Sequence, residues 1–566
     1  MKRLFIIGAV AATMGLVSCD DTVTKDPLDV FTNNSEYWSN TVNLDNQCNR
    51  LYENYYGYGN GTSTNGWFYF KTLSDDQANA TFDQWTFINV PASSPTWKSA
   101  WEEIRGIGYI MDGLKMSSLD AGTKAYYEGI ARLNRAWQYY QLVRMFGDVP
   151  WIEKALDPTD PEVYAGRTDR DVIMNNVLAD LNFANGVITG TSKTTWNNGM
   201  VNAMKAEICL YEGTFCKYRT LADNGKAADE ARANAFLEEC VNACEAVFAH
   251  EYSLNDTYKG NYDSDNLASN PEMIFFKDYK LDLFMHSLIS YTCSSSNQYG
   301  ITKDAFDSFL FLDGKPLAST TLDKSDAAEL DATGKVSIAK ALSTRDKRLS
   351  AIVDSYLGFN GRGYVRDDVP DAPNMTSVTG YTIGKFDNPS KFALINRDQN
   401  NKNYTDAPVF WLAPVYLAYA EAKAELGTIT NTDLDNTINK LQARAGLPAM
   451  TIAPEADPAN DMNVTPLIWE IRRCRRCELM LDTWARYWDL IRWHQLDKLD
   501  TNKNPDILLG ANLSNIPDVE VELNEDGYIV TNKTASRIYE AKHYLYPIPS
   551  GQITLNPNLG QNPGWE

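Results

Sequence analysis

Histidine is scarce in this chain. There are four in 566 residues, at His250, His286, His494 and His543, and none is spaced to put two imidazoles on one metal ion. Cysteine is sparse too, nine in all, far below the density of a disulfide scaffold. Cys240 with Cys244, and Cys474 with Cys477, fall at helical spacing inside amphipathic segments without further ligands nearby. Buried thiols or an incidental disulfide are therefore expected there rather than a structural zinc. A Gly-x-Ser-x-Gly elbow, a His-Glu-x-x-His helix and a Gly-x-x-x-x-Gly-Lys-Ser/Thr loop are all missing, which leaves no nucleophile elbow, zinc-protease helix or phosphate cradle to assign. A glycoside hydrolase needs only two carboxylates about 5 to 10 Å apart, and among 74 Asp and Glu nothing singles out a pair. No catalytic residue and no metal ligand is assigned. Positive charge is also short, 52 Lys and Arg for a net charge of −22, which disfavours nucleic acid as a partner because phosphate binding requires clustered cations. Beyond the first residues, no apolar run is long enough to cross a bilayer.

What the chain has is a processed-looking start. MKRLFIIGAVAATMGLVSCDD opens with Lys2 and Arg3, runs apolar from Leu4 to Val17 and reaches Leu16-Val17-Ser18-Cys19. That is a secretory signal too short to span a membrane and stay. Its ending resembles the lipobox of bacterial lipoproteins, in which Cys19 takes up lipid and becomes the first mature residue. Acyl chains contribute ~0.8 kcal/mol per buried methylene, and several hold where one does not. Residues 1–18 are thus expected to be a signal peptide and 19–40 a lipidated acidic tether, with the folded domain from 41 to 566.

Aromatic residues are the second abundance, with 14 Trp and 31 Tyr. In an exported acidic protein they either pack helices or offer flat faces to a ligand. A short helix is expected over 42–56, then a Gly/Asn/Ser-rich loop leading to Trp67 and Tyr69, then an irregular stretch around Trp85 that Pro91 and Pro95 keep from being helical. From Trp97 the helical period takes over. Trp101, Ile104 and Met111 share a face; Ile130, Leu133, Trp137 and Tyr140 adjoin Ala136, Tyr139, Val143 and Phe146 on the next helix, placing Trp137, and later Trp488, in the core. Thr168-Asp169-Arg170-Asp171 starts another helix, and two more cover about 198–218 and 227–250. Ala413, Leu417, Ala420 and Ala424 form a small-residue seam whose partner helix ends at Gly446. The fold class expected is mostly α, a tetratricopeptide-like helix-pair scaffold (mainly 97–250 and 408–499) with a loop-rich half docked on it (57–96 and 251–407) and a C-terminal segment over 500–566, although no repeat of about 34 residues recurs cleanly.

The charge-dense run from Arg472 to Trp493 reads as one scaffold helix. Asp482 and Arg486 lie four apart and Arg486 and Asp489 three apart, so the charges neutralise along one face while Leu479, Trp484, Trp488 and Ile491 pack inward. The same run, RRCRRCELMLDTWARYWDLIRW, resembles the arginine, Glu-Leu and Asp-Leu-x-Arg-Trp signature of the SusD/RagB family of surface glycan-binding lipoproteins. YLYPIPSGQITLNPNLGQNPGW resembles that family's C-terminal pattern. NRAWQYYQLVRMFGDVPW, GRTDRDVIMNNVLADL, NPEMIFF, STRDKRL, VYLAYAEA and LQARAGLP match in family order. Cys474 stands where Glu is commonest, Thr483 where Gly is, and the spacing to Arg486 is one residue longer.

The resemblance implies a lipid-anchored protein on the outer face of a Gram-negative outer membrane. It would act without catalysis, capturing an oligosaccharide and handing it to a SusC-like TonB-dependent transporter. It places ligand contacts on two loops, by position at Trp67, Tyr69 and Trp85 and at Tyr291, Asn297, Gln298 and Tyr299. Peptide cargo in the same lid role, a surface hydrolase and a lid without any ligand are the alternatives. No cofactor is expected; acidic loops offer calcium oxygen ligands, but no motif calls for it.

Overall fold

The computed structural model describes residues 33–566 except 65, 69–72, 82–83, 293–298, 366–374, 483–484 and 535. Among the described residues ten helices reach eight residues or more: α1 (Thr41–Arg50), α2 (Pro95–Met116), α3 (Ala121–Phe146), α4 (Arg170–Val187), α5 (Asn198–Tyr218), α6 (Glu230–Phe248), α7 (Leu412–Glu425), α8 (Ile438–Ala445), α9 (Pro466–Glu478) and α10 (Ala485–Arg492). Their ends follow local chemistry. Ser94 accepts from Trp97 N–H with Pro95 in the first turn of α2, Asp120 caps α3, Asp169 caps α4, and Gly446 takes a left-handed φ of 77° to close α8, a conformation glycine adopts without a Cβ penalty. From α2 through α6 each helix packs on the next; α7 lies on α5 and α6, and α9 on α7. The molecule is mostly helical, as expected.

Residues 251–411 supply most of the strands. β1 (Gln77–Asn79) pairs antiparallel with β3 (Tyr299–Ile301), tying the two aromatic loops together, and β2 (Met273–Lys277) pairs with β8 (Ala407–Trp411). A four-stranded sheet runs in the order β4 (Glu329–Leu330), β5 (Val336–Ser337), β6 (Val353–Leu357), β7 (Tyr381–Ile383).

Docking of the chain onto the scaffold begins ahead of residue 41. Trp38 is fully buried, its Nε1–H donates to Asn33 Oδ1 at 2.7 Å, and its indole lies on Gly113 of α2, where an added Cβ would fall 2.1 Å from Cδ2. Trp38 thus pins the end of this stretch to the scaffold although most of residues 33–40 are exposed, while Cys19 and the rest of the expected tether lie outside the described residues.

The charge-dense run is not one helix. α9 stops at Glu478, Leu481 adopts φ 69°, and α10 starts at Ala485, so the predicted Asp482–Arg486–Asp489 pairing along a face is replaced by other partners, most of them distant in sequence. Asp482 takes Lys385 at 2.5 Å; Arg486 takes Asp75 at 2.6 Å; Asp489 takes Arg475 and Arg492, each at 2.8 Å. Desolvating an arginine is tolerable only when carboxylates meet its fork; for Arg486 that carboxylate arrives from across the chain, at Asp75. Leu479, Trp488 and Ile491 are buried as expected; Trp484 lies outside the described residues. The seven described cysteines are all free and buried.

His286 adds a pH dependence. It is fully buried, accepts from Leu288 N–H at Nδ1 (3.2 Å) and places Nε2 3.1 Å from Thr405 O. That fixes the neutral Nε2–H tautomer. Burial pushes its pKa from 6.5 to about 3, against a smaller upward pull from the Thr405 carbonyl. A neutral buried imidazole contributes fully above the unfolded pKa, and that contribution is lost as the pH falls from 6.5 toward 3, because the unfolded chain takes the proton first. Between about pH 6.5 and 5 the native chain should lose about 2 kcal/mol more stability than His286→Gln, a difference that urea unfolding at the two pH values measures. Equal slopes would refute it.

Candidate functional site

Between α3, α5, α7 and α10 the fold encloses a cavity of about 570 Å³, within the range that holds small ligands. Three helices turn an i, i+3, i+4, i+7 row toward it, Trp137, Tyr140, Gln141 and Arg144 from α3, Ala203, Ala206, Glu207 and Leu210 from α5, and Ala485, Trp488, Asp489 and Arg492 from α10, and α7 adds Pro414, Val415 and Ala418. Alanine and proline stand where larger residues would close the space, which is why a close-packed interior leaves room here. The exposed lining residues Tyr56, Thr86, Pro95, Thr96 and Ser99 all come from residues 56–99, so the rim is formed by the aromatic loop together with the start of α2. Trp67 lines the cavity half-buried, its ring 5.9 Å from Trp137 and 6.3 Å from Tyr55. The loop is closed behind it by Trp67 N–H donating to Gly57 O at 2.8 Å.

The polar groups here are unevenly satisfied. Glu421 receives a bidentate grip from Arg492, 2.7 Å at each oxygen, and Arg475 and Arg492 hold Asp489. Glu103 is taken by Arg50 at 3.0 Å. Arg144 pairs with no carboxylate among the described residues: its guanidinium lies 4.2 Å over the Trp488 ring and 4.8 Å over Tyr140, bonds Gln141 Oε1, and leaves Nε without an acceptor. Glu207 makes no hydrogen bond or ion pair among the described residues. Burial pushes its carboxyl above the ordinary range, opposed by the charges of Arg144, Arg475 and Arg492. Asn54 Nδ2, Tyr211 Oη and Trp411 Nε1, on three further lining residues, also lack partners. Each buried donor left unmet costs about 1–3 kcal/mol, so the walls are chemically incomplete by themselves.

Of the residues expected from sequence, Trp67 lies in this cavity. Trp85 stacks on His543 at 3.9 Å and 16° and donates Nε1–H to Ile538 O at 2.8 Å, which covers one ring face with the C-terminal segment; burial lowers the His543 pKa to about 4. Tyr299 sits in β3 opposite Asn79, and Tyr291 is half-buried in the short helix Leu288–Thr292. Tyr69, Asn297 and Gln298 lie outside the described residues. Trp137 and Trp488 are 6% and 8% exposed, as core positions are, yet their rings wall the cavity. Sequence reading missed Arg144 and Glu207 as site residues; the available signal was a charged residue at i+7 from Trp137 and i+4 from Ala203 on otherwise apolar rows.

One cluster among the described residues has the donor set of a metal site, Asp171, Glu212 and Cys216. Arg170 and Arg232 hold Glu212, while Arg219 and Lys226 hold Asp171. Its cations are already protein groups.

Comparison with known proteins places the chain in a family. Two SusD-like proteins of Formosa agariphila are similar to the chain, one 25% identical over 484 residues (82% of this chain, 78% of the relative) and one 23% identical over 447 residues (76% and 72%). A crystal structure described as a SusD-like carbohydrate binding protein from Bacteroides fragilis superposes with a TM-score of 0.70 at 20% identity, covering 93% of this chain and all of that one, which shows the fold. The sequence profile of the SusD family matches residues 244–565, over half of the chain, and the protein belongs to the SusD family.

Proposed function

We propose that the protein is a non-catalytic, surface glycan-binding lipoprotein. It is anchored through Cys19 in the outer membrane and delivers oligosaccharide to a SusC-like TonB-dependent transporter. The observation that carries the reading is the cavity whose rim joins the first aromatic loop to the start of α2. The half-buried Trp67 offers a flat face to the C–H side of a sugar, backed by Trp137 and by Trp488 beneath the Arg144 guanidinium, and Glu207, Arg144 and Asn54 offer hydrogen bonds to its hydroxyl rim. Description of a structural relative as a carbohydrate binding protein supports the same reading. The carboxylates of this cavity support binding without turnover. Asp489 and Glu103 are committed to arginines, so Glu207 has no free partner among the cavity-lining carboxylates with which to share acid and nucleophile roles. Affinity is expected at about −4 to −7 kcal/mol, millimolar to tens of micromolar, and tethering beside a transporter compensates by raising effective concentration.

The test is binding of the soluble chain, starting after Cys19, to an array of plant, microbial and host oligosaccharides, with Trp67→Ala and Trp85→Ala alongside. Binding of one glycan class without release of reducing sugar, weakened about tenfold or more by Trp67→Ala, is expected. Failure to bind any glycan, or hydrolysis of one, sinks the proposal; a peptide that binds instead would identify the cargo.

A further inference from the structure

Three arginines line the cavity among the described residues, and two of them are matched. Arg475 spans both oxygens of Asp489 at 3.0 and 2.8 Å, and Arg492 grips Glu421 and Asp489. Arg144 is the exception. Among the described residues its guanidinium meets two aromatic rings and the neutral amide oxygen of Gln141, and no carboxylate. Taking an arginine out of water is costly without an anion to meet it, yet Arg144 is half-buried, with Nε shielded from solvent and unbonded. Stacking at 4.2 Å on Trp488 orients the planar guanidinium without neutralising it. The result is a fixed cation whose counter-charge the described residues do not supply.

Glu207 does not fill that role. It is the lining carboxylate left over once Glu103 and Asp489 are paired, but it forms no ion pair with Arg144. Its attraction is divided among Arg144, Arg475 and Arg492, and burial pushes its carboxyl toward the neutral form. An anion arriving at Arg144 therefore displaces no ion pair already made. Long-range attraction is not the cause of such binding either, since a chain of net charge −22 repels anions at a distance. The match has to be short-range and shaped. A carboxylate presents two coplanar oxygens, the form that a guanidinium accepts side by side, whereas a hydroxyl brings one oxygen and no charge.

We infer that Arg144 is a specificity-determining residue that pairs with the carboxylate of an acidic sugar unit, so that the cavity selects carboxylate-bearing glycans over neutral ones. This deepens the proposed glycan-binding role and rests on it.

The experiment uses the chain starting after Cys19 and calorimetry on galacturonate, mannuronate, glucuronate-bearing and sialylated oligosaccharides. Each is paired with its carboxyl-reduced form, in which the acid has become a primary alcohol, and neutral and sulfated oligosaccharides are run beside them. An acidic probe is expected to bind tightest, and its reduced form about tenfold or more weakly. In Arg144→Gln the acid and its reduced form should bind within about twofold of each other, and Arg144→Lys, which keeps the charge without the fork, should fall between. Circular dichroism and the thermal midpoint establish that each variant is folded. If neither variant folds, the wild-type comparison of acid with reduced probe still decides, because it needs no substitution. Equal binding of the two forms by wild type, a neutral or sulfated probe binding tightest, or a preference for the acid retained by folded Arg144→Gln overturns this inference and leaves glycan binding intact. Absence of any glycan binding by wild type overturns both.

Discussion

Replacing Arg492 with methionine lowers the unfolding free energy by about 3–5 kcal/mol, read as a shift of the urea midpoint. Arg492 is 2% exposed and Glu421 fully buried. The guanidinium fills both Glu421 oxygens at 2.7 Å, Asp489 at 2.8 Å and Thr214 Oγ1 at 3.0 Å. Removing the cation alone strands Glu421, whose remaining bond is from Trp493 Nε1–H at 2.6 Å. The double variant Arg492→Met/Glu421→Met should recover part of the loss. Recovery stays incomplete because the Trp493 indole then lacks an acceptor, at about 1–3 kcal/mol. The pair also sets an acid limit. Burial alone would raise the Glu421 pKa, but Arg492, with Arg472 and Arg475 behind it, holds it down to about 2 from 4.5. A depressed carboxylate contributes stability that is fully present above 4.5 and lost as the pH falls through 2, so wild type should lose about 3 kcal/mol across that window, and the double variant should lose less. A double variant no more stable than Arg492→Met would show that the pair is not the unit.

How far the sequence discloses all this depends on the range of the interaction. Asp169 and Gly446 were legible as helix boundaries because capping is a local bond, and the scaffold helices followed from period. Their rows did not reveal the cavity. Trp137 and Trp488 repeat at the same interval whether they meet side chains or empty space, so a stripe lining a pocket and a stripe filling a core look alike until volume is known. Arg486 shows the other failure. Its nearest acids in sequence, Asp482 and Asp489, sit at tempting helical spacings, yet the helix breaks at Leu481 and the partner is Asp75, which no local rule could nominate. Trp67 was recognisable only as an aromatic in a glycine-rich loop before a helix; the cavity behind it depends on Ala203 and Ala418, residues without any sequence signature of a site.

Asp75 is the position where stability and the site meet, and Asp75→Ala is expected to disturb both. It is 1% exposed. Arg486 binds its two oxygens at 2.7 and 2.6 Å, and Arg476, which also holds Asp76 at 2.7 Å and Asp304 at 2.6 Å, lies 3.5 Å away. Burial favours the neutral acid, but the two guanidiniums override it and keep the Asp75 carboxyl well below the ordinary range. Neighbouring Asp76 is pushed up by burial and by Asp75 itself, against Arg476. Asp75 therefore carries the charge that answers Arg486, and its loss leaves a buried guanidinium unmatched, a cost of about 3–5 kcal/mol. Thr302 Oγ1–H donates to Asp75 O at 2.6 Å and Thr302 N–H to Asp76 O at 3.0 Å, so the same two residues align β1 with β3. The segment they anchor runs between Trp67 and the Thr86 rim of the cavity mouth. Asp75→Ala should thus lower the urea midpoint, speed proteolysis within 73–90, and weaken glycan binding by more than the isosteric Asp75→Asn, which keeps a hydrogen-bond acceptor in place. Faster cleavage elsewhere, with the mouth segment protected as in wild type, would show that the Arg476–Asp75–Arg486 cluster supports the scaffold alone.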